Sequence, residues 1–178
     1  MPLIDPTRSL LLIIDFQERL LPALQGGSEA VSIATTLLKA AQQLSIPVVM
    51  TEQNPDKLCG TTSALSPGPS SLLVPKMTFN SCQADGFQTA LGNKDHLIVV
   101  GAEAHVCVLQ TVLGLCELGK SVFVVSDGIA SRTSQNKDAA LTRMAKSGAE
   151  IVTGEMVIFE WLQTAEHPSF KDIHPLIK

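Results

Sequence analysis

The sequence predicts a single doubly wound α/β domain, with a mostly parallel sheet as the middle of three layers and helices on both faces. Three observations carry this. Six short apolar runs alternate with longer amphipathic stretches along the 178 residues, the rhythm of repeated βαβ units. The runs are continuously apolar, not alternating, as strands covered on both faces should be. At about 150 residues per domain the length fits one core, so residues 1–178 are read as one domain.

In order, the strands are SLLLIID (9–15), PVVMTE (47–52), SLLVP (71–75), HLIVVGA (96–102), SVFVVSD (121–127) and AEIVT (149–153). Helices fall near 28–45, 83–92, 105–119 and 134–147. Crossovers should be right-handed, and a ligand should sit outside the carboxyl ends of the strands. Residues 53–70 carry Asn54-Pro55, Gly60 and Pro67-Gly68-Pro69 among serines and threonines, a long loop that reads either as a wall or lid of a site or as a surface excursion. The last stretch holds a further helix, EMVIFEWLQTA. Its Val157, Ile158, Trp161 and Leu162 share a face suited to the sheet or to a neighbouring subunit.

Hydrophobic residues make up 45% of the chain and charged residues 17%, with a mean hydropathy of +0.24. No apolar run reaches the roughly 18 residues that cross a bilayer, because Asp15, Glu103 and Asp127 interrupt the most apolar stretches. The apolar excess then belongs in buried strands and a subunit interface, and a homo-oligomer, a dimer or a multiple of it, is expected. With 17 acidic against 13 basic residues, a net charge of −4 and no basic cluster, nucleic acid is not an expected partner. MPLIDPTRSL lacks a signal pattern, and Cys59, Cys82, Cys107 and Cys116 form no CxxC pair; both point to the reducing cytoplasm.

Gly114-Leu115-Cys116-Glu117-Leu118-Gly119-Lys120-Ser121 matches the phosphate-loop pattern by letter, but it closes a helix and precedes a strand, the reverse of the order that aims amides at phosphate. Gly119 reads instead as the residue that ends the helix. No G-x-G-x-x-G, HExxH or histidine cluster is present, and His96, His105, His167 and His174 are scattered.

Cys107 follows the strand HLIVVGA by the turn EAHVC and opens a helix, where free amides and the helix dipole favour a thiolate. A buried core thiol is the competing reading, and Cys116 fits it. Asp15 and Lys76 end the strands SLLLIID and SLLVPK, where a charge beside an apolar run is costly unless it is used or capped. Asp15 could cap the following turn, and Lys76 could be a solvated edge residue. If both reach the same sheet edge as Cys107, they supply an acid and a cation that activate a thiol nucleophile.

The pieces Leu12-Ile13-Ile14-Asp15-Phe16-Gln17, Lys76-Met77-Thr78-Phe79-Asn80-Ser81-Cys82, Val99-Val100-Gly101-Ala102-Glu103-Ala104-His105-Val106-Cys107-Val108 and Ser126-Asp127-Gly128-Ile129-Ala130-Ser131-Arg132 resemble the isochorismatase-like cysteine hydrolases, which include nicotinamidases and N-carbamoyl amide hydrolases. Thr51-Glu52-Gln53 and the stretch 155–162 resemble the YcaC-like, isochorismatase-domain-containing branch. The resemblance implies a three-layer, Rossmann-like fold with a parallel six-stranded sheet, and a catalytic triad of Asp15, Lys76 and Cys107. It also implies a cis peptide between Ala102 and Glu103, with backbone N–H groups of Glu103 and Cys107 as oxyanion donors. Substrate contacts would fall to Phe16, Gln17, Phe79 and the 53–70 loop. Metal-dependent nicotinamidases carry an aspartate and histidines after the second strand, whereas TEQNPDKLCG has no histidine, so neither metal nor cofactor is expected. Ala104 stands where relatives commonly have threonine.

The activity so implied is metal-free hydrolysis of a C–N bond in a small amide or carbamoyl compound through a thioester. Two alternatives stand beside it: a binding or scaffold protein of the same fold, and a vinyl-ether hydrolase of the isochorismatase type.

Overall fold

The computed structural model describes residues 3–68 and 71–177, centred on one six-stranded sheet. Strands β1 (Ser9–Ile14), β2 (Val48–Gln53), β3 (Ser71–Lys76), β4 (His96–Ala102), β5 (Ser121–Ala130) and β6 (Glu150–Val152) stand in the order β3-β2-β1-β4-β5-β6. All pairings are parallel. The helices are α1 (Gly27–Gln43), α2 (Pro55–Leu58), α3 (Phe87–Leu91), α4 (Leu109–Glu117), α5 (Ser134–Lys146), α6 (Gly154–Leu162) and α7 (Phe170–Ile173). The strand order reverses between β1 and β4, the switch point where a doubly wound sheet opens a crevice.

The continuous apolar runs are explained by two cores. Leu11, Ile13, Ile98, Val100, Phe123 and Val125 pack with Ala34 and Leu37 of α1 and Val157, Ile158 and Trp161 of α6. Their neighbours Leu10, Leu12, Ile14, Leu97, Val99, Val122 and Val124 pack on the opposite face with Val112 and Leu115 of α4 and Met144 of α5. The inner strands therefore carry apolar residues at most positions, because successive side chains enter different cores.

The edges depart from the expectation. On the outer strand β3, Leu72 and Leu73 are 53% and 50% exposed, so only one of its leucine-rich run's faces is partly covered. Pro75 sits there at an edge, where a missing N–H is tolerated. The apolar face of α6 is spent within the chain: Val157, Ile158, Trp161 and Leu162 are all buried, and the Trp161 indole donates to Ser9 Oγ at 3.0 Å. The opposite side of the same helix leaves Met156 and Phe159 46% and 43% exposed. The helix expected near 83–92 is only α3, because a turn at Ala84–Gly86 separates it from the 3-10 turn Ser81–Gln83. β5 runs past Ser126-Asp127-Gly128 to Ala130 through a register shift against β4. The strand is thus three residues longer than the expected 121–127, and at the shift Ser126 donates to Val152 O and Asp127 accepts from Gly154 N.

Gly119 has φ 73 just beyond α4, and its N–H and that of Lys120 bond back to Cys116 and Leu115. The phosphate-loop letters therefore close a helix. Gly101 has a different task. Its φ is 147, and a Cβ there would lie 2.4 Å from the Ile14 carbonyl oxygen, so β4 can approach β1 at the switch point only with glycine. Gly101→Ala should lower stability by about 3 kcal/mol, read from urea denaturation, since it combines backbone strain with a clash against backbone.

Candidate active site

Four adjacent strands each place one functional side chain at the carboxyl edge. Asp15 directly follows β1 with φ 51, and its N–H donates to the Thr51 carbonyl at 3.1 Å. Its carboxylate accepts from Thr51 Oγ1 at 2.6 Å and from Lys76 Nζ at 2.7 Å. Asp15 is thus held by a cation and a hydroxyl, and the helix-cap reading does not apply. Lys76 ends β3 in register with Gln53 of β2 and reaches across that strand. Its ammonium also donates to Gln53 Oε1 at 2.8 Å and to the Thr78 carbonyl at 3.3 Å. Cys107 Sγ lies 4.0 Å from the same Gln53 oxygen. Asp15, Lys76 and Cys107 are 0%, 4% and 5% exposed, so a buried ion pair and a buried thiol share one water-poor pocket.

β4 ends in a cis peptide between Ala102 and Glu103, then a π-helical turn, Ala104–Val108, that carries Cys107 into α4. The thiol sits at a helix start as the sequence suggests, but its acidity moves the other way. Burial, and then the charge of Asp15, push the Cys107 thiol up to about 12, against a smaller lowering by Lys76. Burial and the Asp15 carboxylate together outweigh the helix start and the lysine, both of which favour a thiolate, and push the thiol towards its neutral form.

Gln53 was not singled out by sequence reasoning, although the signal that found Asp15 and Lys76, a polar residue ending an apolar strand, also marks it. Its Oε1 bridges Lys76 and Cys107, and its Nε2 donates to the Met77 carbonyl at 2.8 Å. Gln17, expected at the substrate, is fully buried. Its amide accepts from Gln53 N–H at 2.8 Å and donates to the carbonyls of Gln53 and Cys59 at 3.0 and 2.7 Å. Phe16 is likewise fully buried in the core. Both support the wall from behind and are not on its surface. Phe79 is half exposed and remains open to a ligand.

The segment expected as a 53–70 loop contains α2 and a 3-10 turn, Ser63–Leu65; Pro69 and Ser70 lie outside the described residues. It is pinned to the site as a wall. Thr62 N–H bonds to the Phe16 carbonyl, and Thr61 donates through N–H and Oγ1 to Glu52 Oε1. A depression of about 350 Å³ opens beside Lys76, lined by Pro55, Met77, Thr78, Gln83 and Asp85 among others. Among the described residues no group of three or more His, Cys, Asp or Glu side chains is arranged to hold a metal ion.

A thiol thus lies near a buried acid–cation pair at the switch point of a six-stranded Rossmann-like sheet. The isochorismatase domain matches residues 9–156, and the chain belongs to that family. It is 33% identical over 177 residues to isochorismatase domain-containing protein 1 of Danio rerio, covering 98% of this chain but 62% of that relative's length. A structure of MAR1 ribonuclease from Caenorhabditis elegans superposes with a TM-score of 0.94 at 34% identity, covering 99% of this chain and 92% of that one. The Escherichia coli YcaC gene product, described as an octameric hydrolase of unknown specificity, shares the fold with a TM-score of 0.85 at 22% identity, covering 99% and 95%.

Proposed function

We propose that the chain is a metal-free cysteine hydrolase that cleaves a C–N bond of a small amide or carbamoyl compound. The observation that carries this reading is the buried Asp15–Lys76 pair beside the Cys107 thiol. Asp15 takes the thiol proton as Sγ bonds to the carbonyl carbon, and the carbonyl π electrons move onto oxygen. The Glu103 and Cys107 amides receive that oxyanion. Its collapse breaks the C–N bond while Asp15 passes the proton to the leaving nitrogen. Water then attacks the thioester, giving a proton to Asp15 that returns to sulfur, so acid and amine leave and the enzyme is restored. Lys76 holds the Asp15 carboxylate in place, and the half-exposed Phe79 contacts the substrate.

A neutral resting thiol suits this route, since the proton moves only when a carbonyl is present. The acidic balance of the chain, −4, does not favour the phosphate-backbone substrate that the name of the C. elegans relative would suggest. The test is ammonia or amine release from a panel of small amides and carbamoyl compounds. Wild type should turn over at least one that Cys107→Ala does not; equal release by both would reject the reading and leave a binding role.

Unbridged cysteines and the absence, among the described residues, of a helix long and apolar enough to cross a membrane accord with the cytoplasm as its place of action. A homo-oligomer is part of the same reading, supported by the exposed Leu72, Leu73, Met77 and Phe79 on and after β3. Light scattering should give a particle of at least twice 19.0 kDa; a 19.0 kDa particle at all working concentrations would refute it.

A further inference from the structure

The turn that carries the nucleophile is tied by three side-chain bonds to the two residues just beyond β5. Glu103, the residue whose amide is assigned to the oxyanion, has a carboxylate only 8% exposed. Arg132 grips it with both prongs, Nε to Oε2 at 2.7 Å and Nη2 to Oε1 at 2.9 Å. Two residues on, the His105 ring bonds to Ser131 Oγ at 2.9 Å. Ser131 and Arg132 are themselves anchored. Gln25 N–H donates to the Ser131 carbonyl at 2.9 Å, and Thr133 caps α5 through its bond from Asn136 N–H. The strut is therefore fixed at both ends, while the Arg132 side chain is 63% exposed.

We propose that Arg132 is a positioning residue for the oxyanion hole: by clamping the Glu103 carboxylate it fixes the direction of the Glu103 amide. This rests on the thiol-hydrolase reading above. Losing Arg132 would leave the 8%-exposed Glu103 carboxylate without its fork, so a purely structural role would show as a loss of stability that slows every reaction of Cys107 alike. A fixed donor is different, because losing one oxyanion donor lowers turnover by about 10²–10³ and small misplacements cost a large part of that.

Two reactions of the same sulfur separate the roles. p-Nitrophenyl acetate acylates Cys107: the S–C bond forms, the carbonyl oxygen becomes an oxyanion, and p-nitrophenolate leaves. Iodoacetamide alkylates the same sulfur by displacing iodide from carbon and develops no oxyanion. In Arg132→Ala, acylation measured as the p-nitrophenolate burst should slow about tenfold or more, while alkylation stays within about twofold of wild type. Arg132→Lys keeps the charge but not the fork, and its acylation rate should fall between the two. Unchanged acylation in Arg132→Ala, or acylation and alkylation falling in parallel, would overturn the inference alone. A wild-type chain that forms no Cys107 acyl adduct would overturn the hydrolase reading and this inference with it.

Discussion

Asp15→Asn should lose about 10²–10⁴-fold in turnover while its Cys107 is alkylated faster than in wild type. The two effects separate because Asp15 does two things to the sulfur. As base it must accept the thiol proton, which asparagine cannot do. As a charge it holds the Cys107 thiol up, since it is the second cause of that shift after burial and it offsets Lys76. Removing the carboxylate leaves the lysine cation to favour the thiolate. In wild type, iodoacetamide labelling of Cys107 should keep rising with pH toward about 12; in Asp15→Asn the rise should level off lower. Turnover near that of wild type would exclude Asp15 as the base. Labelling that fell together with turnover would show that Asp15 creates a resting thiolate and not a transient one.

Lys76→Met should cost about 3–5 kcal/mol in urea denaturation, the largest stability effect expected of any side chain at the site. Both partners of the Lys76–Asp15 pair have fully buried side chains at 2.7 Å, so the variant leaves a carboxylate in a water-poor pocket with no cation against it, only neutral donors such as Thr51 Oγ1. The buried charge, and not the lost contact, is the main cost. Accordingly, the double variant Asp15→Asn, Lys76→Met should recover a substantial part of the loss, because two neutral groups replace an isolated charge. A single variant as stable as wild type would contradict the buried pair.

The layers and the three charged or nucleophilic positions were legible because they rest on strong, local signals. Continuous apolar runs mark strands with a core on each face, and Asp15 and Lys76 each interrupt such a run at its carboxyl end. What was not legible depends on relations between distant segments. The Cys107 thiol is raised first by burial and then by the charge of Asp15, brought to it from another strand, which no single stretch shows. Phe16 and Gln17 follow Asp15 in sequence, yet both are fully buried, and Gln17 is taken up by its bonds to the Gln53 and Cys59 carbonyls. Gln53 becomes visible only when β3 lies beside β2 and Lys76 reaches over it. The end of β5 lies three residues past the expected one, beyond a register shift against β4, and that end carries Ser131 and Arg132 to the nucleophile's turn.

If Cys107 carries the acyl group, it should be caught there by intact-mass analysis, followed by peptide mapping, of protein mixed with p-nitrophenyl acetate and quenched in acid within the burst. One acetyl group per chain is expected, located on Cys107, absent from Cys107→Ala and accumulating less in Asp15→Asn. Acetyl groups spread over Cys59, Cys82 and surface lysines at the same rates in wild type and Cys107→Ala would contradict it.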